Sequence, residues 1–341
     1  MKSLLKFLAN VSISLFSVSI TLVFVEIGVR VYLRATNVAD PDKINTFNEM
    51  PKDIHLFDKQ LGWVLAPNYR DKDTYVNSIG FRSSQEFQPK NDTTDTRKKI
   101  FVLGDSMVFG VKEEQDSIFT EVLNRDQKDM LFINTGVVGY NTVQEYLTLE
   151  NHINDFNIDM VVLFYTEAND MIWNARPGMC NPYCSLKKDS LVFHAPDETI
   201  KLPFYKKLAA YKFLDKKVLQ GKDFNYIFQK IDFNLFKGNS QTWTITRKML
   251  KSISSLCKNN NIKLMIVDIP TDNQIINKAD VTRQELLKQL CEEEGVIYYD
   301  LLDYYPPDCS NLFIPNDSHW NARGHRFISN FLSEKINPQK L

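Results

Sequence analysis

The stretch Lys99-Ile-Phe-Val-Leu103-Gly104-Asp105-Ser106 decides the fold. Four apolar residues run straight into a glycine, the pattern of a strand buried on both faces that ends where the chain must turn. Similar short runs recur at Leu131 to Val138, Met160 to Tyr165, Leu264 to Ile269 and Val296 to Tyr299. Between and after them lie stretches with helical periodicity, at Val143 to Ile153, Thr244 to Lys258, Arg283 to Glu294 and Ala322 to Lys335. Alternating strands and helices of this kind predict an α/β fold: a doubly wound, mostly parallel five-stranded sheet with flanking helices.

Working outward, the regular pattern starts near residue 98, and residues 98–341 are read as the catalytic domain. Residues 171–240 are too long for an ordinary crossover and form an insertion, aromatic-rich and containing Cys180 and Cys184. Residues 35–97 are polar and broken by Pro51, Pro67 and Pro89, which describes a connecting region with a few strands. Before it, Phe7 to Val25 carries no charge, and a helix of that length covers the roughly 30 Å hydrocarbon layer of a membrane. Residues 1–34 are therefore expected to be a single N-terminal membrane anchor. A cleaved signal peptide is the competing reading, with Ser17-Val18-Ser19 as the cleavage site, but the apolar run continues past it. Lys2 and Lys6 on one side and Arg30 and Arg34 on the other leave the orientation undecided by charge.

Composition removes several classes of function. The 341 residues are 43% hydrophobic, enough for a sizeable core, and 41 Lys and Arg balance 42 Asp and Glu. With no basic excess, nucleic acid is not an expected partner. Five cysteines are too few for a disulfide scaffold, and Cys180 and Cys184 fit a local disulfide and two idle thiols equally well.

Ser106 follows the first long strand, at the carboxyl end where open α/β sheets gather their ligands. A phosphate loop is excluded there, since Gly110 is followed by Val111 rather than by Lys and Ser or Thr, and the Gly-x-Ser-x-Gly elbow is absent too. A serine nucleophile needs a base and a group to orient that base. Of five histidines, His319 is the candidate, because Asp317 stands two residues upstream on the same loop before the last helix. Acyl transfer also needs donors for an oxyanion. Gly139 lets a backbone N–H approach closely after the second strand, and Asn169 offers a side-chain amide after the third. Taken singly, each of these residues is explained by turn and cap chemistry.

Taken together and in this order, the Gly-Asp-Ser at 104–106, Gly139, Asn169-Asp170 and the Asp317/His319 pair resemble the SGNH/GDSL hydrolases. The resemblance covers about residues 98–337. Leu61-Gly-Trp63 and Asn77-Ser-Ile-Gly-Phe-Arg82 look like the segment that precedes the catalytic domain in bacterial membrane-tethered members. It implies a flavodoxin-like sheet and a triad of Ser106, Asp317 and His319. It also implies an oxyanion hole from the N–H of Ser106, the N–H of Gly139 and the Asn169 side chain. Two positions depart from the family pattern. Glu167 stands where many relatives have glycine, and the acid–base motif is Asp-x-His, with Asn316 where Asp-x-x-His relatives carry the aspartate. Asp-x-His-Trp recurs in SGNH-like proteins that O-acetylate envelope polysaccharides.

The resemblance thus implies an acyl-ester hydrolase or O-acyltransferase, without a metal or organic cofactor, acting outside the cytoplasmic membrane. Its substrate would be an acyl ester of carbohydrate or lipid. A tethered, non-catalytic SGNH-like module that binds polysaccharide or a partner protein is the alternative, and the sequence names no protein partner.

Overall fold

A computed structural model of the chain describes residues 14, 16–29, 31, 53–87, 90, 94–175, 180–196, 237–277, 281–315, 317–336 and 339. Two units divide it: Met1–Glu49 with Thr199–Phe228, and Met50–Glu198 with Gln229–Leu341.

In the first unit, residues 16–29 are helical (α1) and their apolar side chains, among them Phe16, Leu22 and Phe24, are exposed. No helix among the described residues is long and apolar enough to cross a membrane. Residues 7–13 and 15 of the span expected from the sequence lie outside the described residues.

The second unit is built on nine strands and seven helices among its described residues. In chain order they are β1 (His55–Asp58), β2 (Gly62–Leu65), β3 (Lys98–Leu103), α2 (Ser106–Phe109), α3 (Phe119–Asp126), β4 (Met130–Asn134), α4 (Thr142–His152) and β5 (Ile158–Thr166). There follow β6 (Tyr183–Lys187), β7 (Ser190–His194), α5 (Gln241–Asn259), β8 (Lys263–Ile269), α6 (Asp272–Asn277), α7 (Thr282–Glu294), β9 (Ile297–Asp300) and α8 (Ala322–Lys335). Five strands form one sheet in the order β4-β3-β5-β8-β9, every neighbouring pair parallel. These are the five runs expected from the sequence.

Alternation along the central strands divides the core. Phe101 and Leu103 with Val161, Leu163 and Tyr165 face the side covered by α4, α5 and α7. Ile100 and Val102 with Met160, Val162 and Phe164 face the side covered by α3 and α8. Both faces being buried is why these strands read as continuous apolar runs. The sheet order reverses beside β3, so the loops after β3, β4 and β5 open at a switch point on the carboxyl edge.

Strand β4 is shorter than its apolar run, which continues to Val138. Asn134 ends it: its side chain accepts from the N–H of Gly136 at 3.0 Å and donates to the carbonyl of Val108 at 2.9 Å. The chain is thereby pulled off the sheet toward α2, and residues 135–141 become a loop of the site.

The segment upstream of β3 packs on this unit rather than trailing from it. β1 and β2 pair as an antiparallel hairpin, and Trp63, 1% exposed, donates from its indole N–H to the carbonyl of Val138 at 3.1 Å. Tyr140 returns a bond to the carbonyl of Trp63 at 2.6 Å. Arg82, also 1% exposed, donates to the carbonyls of Phe109, Gly110, Asp73 and Glu113 and to the side chain of Gln115. Burial pulls its pKa down to about 10, against the pull of Asp71 and Glu121, so it stays charged at neutral pH.

Within the 171–240 insertion, β6 and β7 form an antiparallel hairpin, and residues 176–179 and 197–236 lie outside the described residues. All five cysteines are buried, and Cys184, Cys257, Cys291 and Cys309 are free thiols.

Candidate active site

Ser106 opens α2 at the end of β3 and is 9% exposed. Asp105 caps the helix, accepting from the N–H of Met107 at 2.9 Å. Gly104 is required by space, since a Cβ there would lie 2.3 Å from Cγ2 of Val108.

From the far end of the chain, His319 brings its Nε2 to 2.8 Å from Oγ of Ser106. Its Nδ1 lies 2.5 Å from Oδ1 of Asp317, and the same carboxylate oxygen accepts from the backbone N–H of His319 at 3.1 Å. This Asx turn explains how a single intervening residue suffices, because one oxygen orders both the backbone and the ring of the residue two places on. Trp320 anchors the loop from below, buried and donating to the hydroxyl of Tyr305 at 2.8 Å. Asn321 then caps α8, accepting from the N–H groups of Arg323 and Gly324. Asn316 lies outside the described residues.

The second oxygen of Asp317 accepts from Nζ of Lys112, a residue of the loop after α2. Burial alone raises a carboxyl pKa, but here it is outweighed by the hydrogen bonds from Lys112 and His319, which hold Asp317 well below the usual carboxylate range. A permanently ionised Asp317 fixes the proton of neutral His319 on Nδ1 and leaves Nε2 to accept from the serine hydroxyl.

The two expected oxyanion donors stand on neighbouring loops. Gly139 has φ +77, the left-handed conformation that other residues rarely adopt, with Trp63 beneath it. Asn169 sits in a π-helical turn, Glu167–Met171, that follows β5 directly. Its amide donates to Oδ2 of Asp105 at 2.5 Å, which uses one of two amide protons. Asp170 holds the same turn by accepting from the N–H of Thr166 at 2.6 Å and from the hydroxyl of Thr142 at 3.1 Å. Asp170 and Glu145 are both fully buried, and burial raises the pKa of each well above the carboxylate range. Two carboxyl groups meet there only if one keeps its proton.

Glu167 ion-pairs with Arg283 at 3.7 Å, and Arg283, 2% exposed, ion-pairs with Asp268 at 2.9 Å. The other histidines serve elsewhere. His325 is buried, stacked on Phe119, and accepts from its N–H. His152 pairs with Asp155, and His194 stacks on Tyr183. No group of three or more His, Cys, Asp or Glu side chains stands in metal-binding geometry among the described residues.

Lys112, Asn134 and the contact roles of Trp63 and Arg82 are the parts of the site that sequence reasoning missed. The first two have no local signature, since a lysine in a loop and an asparagine at a strand end are common. The other two lie in motifs that stand out in the sequence without showing what they touch.

No family model and no curated protein matches this chain. Among solved structures it is similar to the psychrotrophic esterase EstA from Pseudoalteromonas sp., in a form inhibited by monoethylphosphonate, at 13% identity and TM-score 0.42 over 70% of this chain and 96% of that one. It is similar to the lipase/acylhydrolase from Enterococcus faecalis at 14% identity and TM-score 0.41, over 71% and 98%. A member of the lipolytic G-D-S-L family from Veillonella parvula matches at 15% identity and TM-score 0.40, over 70% and 97%.

Proposed function

We propose that this chain is a serine-dependent acyl-ester hydrolase or O-acyltransferase working through a Ser106 acyl-enzyme. The observation that carries the reading is the continuous relay Asp317–His319–Ser106, with contacts of 2.5 and 2.8 Å assembled from opposite ends of the domain. His319 takes the hydroxyl proton as Oγ of Ser106 attacks the ester carbonyl, then delivers it to the departing alcohol. Water, or a sugar hydroxyl in a transfer reaction, attacks the acyl-enzyme with His319 again as base. The oxyanion is received by the N–H groups of Ser106 and Gly139 and by the second proton of the Asn169 amide.

The substrate is an acyl ester linked to carbohydrate or lipid at the cell envelope, and the chain is tethered to the membrane by its N-terminal segment with the catalytic domain outside the cytoplasmic membrane. The exposed large apolar side chains of the helix, Phe16, Val18, Ile20, Leu22, Val23, Phe24, Val25 and Ile27, support the tether, because so many apolar groups facing water on one helix are unfavourable.

The test is intact mass of the full-length chain in detergent after treatment with a fluorophosphonate. A single adduct on Ser106, absent from Ser106→Ala and His319→Ala, is the expected result. A folded wild-type chain that takes no adduct and leaves p-nitrophenyl acetate intact would favour the non-catalytic binding module.

A further inference from the structure

Lys112 has no part in the three-residue relay, yet two independent features tie it there. The first is direct: its ammonium donates to the oxygen of Asp317 that His319 does not use. The second is the backbone. Lys112 has φ +65, a left-handed conformation that costs a non-glycine residue roughly 1 kcal/mol and persists only where the surroundings enforce it.

The surroundings are identifiable. Arg82, buried beneath the loop, accepts no alternative arrangement of it, since one guanidinium donates to the carbonyls of Phe109 and Gly110 before Lys112 and of Glu113 after it. The chain on both sides of the lysine is thus clamped to a charged group in the interior. The side chain of Lys112 itself is 62% exposed, and an ion pair so open to water adds little to folding stability. A strained, clamped loop is not explained by such a pair as a stabilising device. It is explained by the need to place a cation at Asp317.

We infer that Lys112 is a positioning residue of the catalytic relay, holding Asp317 through its second oxygen, and that Arg82 fixes the loop that presents it. The inference rests on the serine-ester reading given above. A carboxylate tied by one oxygen alone can rotate about its Cβ–Cγ bond and release the imidazole. The lysine closes that motion.

The experiment measures the rate of Ser106 phosphonylation at fixed pH over a range of fluorophosphonate concentrations, using the full-length chain in detergent, so that the limiting rate is separated from the half-saturating concentration. In that reaction Oγ of Ser106 bonds to phosphorus, fluoride leaves and His319 takes the proton, so no acyl acceptor is needed. Lys112→Met should lower the limiting rate about 5- to 20-fold and leave the half-saturating reagent concentration within about twofold of wild type. Lys112→Arg should restore most of the rate. Added salt should lower the wild-type rate toward that of Lys112→Met and leave the variant's rate where it is.

A limiting rate unchanged in Lys112→Met, with wild type and variant both labelled at Ser106, would overturn the inference and leave the esterase reading standing. A loss that Lys112→Arg does not repair and that follows a lowered melting midpoint would also overturn it, as a purely structural effect. Failure of wild type to label at all would remove the serine reading itself, and the inference with it.

Discussion

The side-chain amide of Asn169 donates to the carboxylate of Asp105 at 2.5 Å, joining the turn after β5 to the residue before the nucleophile. The middle residue of Gly-Asp-Ser therefore has two tasks. One oxygen caps the helix that begins at Ser106, and the other holds the Asn169 amide, the group proposed to receive the oxyanion. Burial raises the pKa of Asp105 against the bonds from Met107 and Asn169, so this acceptor is tuned by the same partners it orders. Removing the donor in Asn169→Ala should reduce turnover about 10²- to 10³-fold with little change in folding stability. Asp105→Asn keeps an acceptor oxygen and should cost less, about tenfold. Steady-state rates on p-nitrophenyl acetate, with circular dichroism to certify folding, check both. Equal rates in Asn169→Ala and wild type would take Asn169 out of the oxyanion hole.

A second prediction concerns Asp317. Its single oxygen holds both the ring and the backbone N–H of His319, and its pKa lies well below the carboxylate range because the bonds from Lys112 and His319 outweigh burial. Asp317→Asn leaves the Asx turn possible but presents an amide that no longer stabilises the imidazolium. In a serine protease triad the corresponding change costs about 10⁴ in kcat. Here the loss should reach about 10²- to 10⁴-fold and fall on kcat rather than KM. A variant that kept more than about a tenth of wild-type kcat would show that the carboxylate is not part of the relay.

Sequence and structure meet where local chemistry sets the geometry. The five parallel strands were legible because burial on both faces leaves runs such as Ile100 to Leu103 and Met160 to Tyr165 without polar interruption. Ser106 and His319 were legible because strand ends and the loop before the last helix are fixed by chain order. What the sequence could not carry was contact across distance. Nothing near Lys112 indicates Asp317, 205 residues away, and nothing in Asn77 to Arg82 says that the arginine will clamp the loop after the nucleophile. The end of β4 was misjudged for a similar reason: Val137 and Val138 are apolar, but the side-chain bonds of Asn134 redirect the chain before them.

The upstream hairpin should be inseparable from the catalytic unit. Trp63 is 1% exposed, supports Gly139 and bonds the carbonyl of Val138, while Gln144 of α4 donates to the carbonyl of Leu61 at 2.7 Å. Trp63→Ala removes a large buried ring and should destabilise the fold by about 3–5 kcal/mol. Trp63→Phe keeps most of the volume and loses the indole bond, so it should cost about 1 kcal/mol. Urea titrations followed by tryptophan fluorescence and circular dichroism measure both. An alanine variant with an unshifted midpoint would mean that the hairpin is docked without contributing to stability.

The last prediction uses the buried histidine. His325 is 1% exposed, its ring stacks on Phe119 at 5.9 Å, and its Nδ1 accepts from the N–H of Phe119 at 3.3 Å. Burial, helped by the charges of Arg82 and His319, pulls its pKa down to about 3. In the unfolded chain a histidine titrates near 6.5. Between these values the unfolded state binds a proton that the folded state refuses, so this contribution is complete above about pH 6.5 and is lost as pH falls toward 3. For one group the slope is about 1.4 kcal/mol per pH unit. Buried acids with raised pKa values, Asp105, Asp170 and Glu145, work in the opposite sense, and the raw pH dependence of stability mixes the two. The difference between wild type and His325→Asn isolates the histidine, because the asparagine oxygen can take over the bond from Phe119 and does not titrate. Urea midpoints from pH 7.5 to about pH 5 should show a stability gap that is constant above about pH 6.5 and narrows below it at close to that slope. A gap that stays constant over the whole range would mean that His325 gains its proton in the folded chain as readily as in the unfolded one, and that the packing around Phe119 opens to admit it.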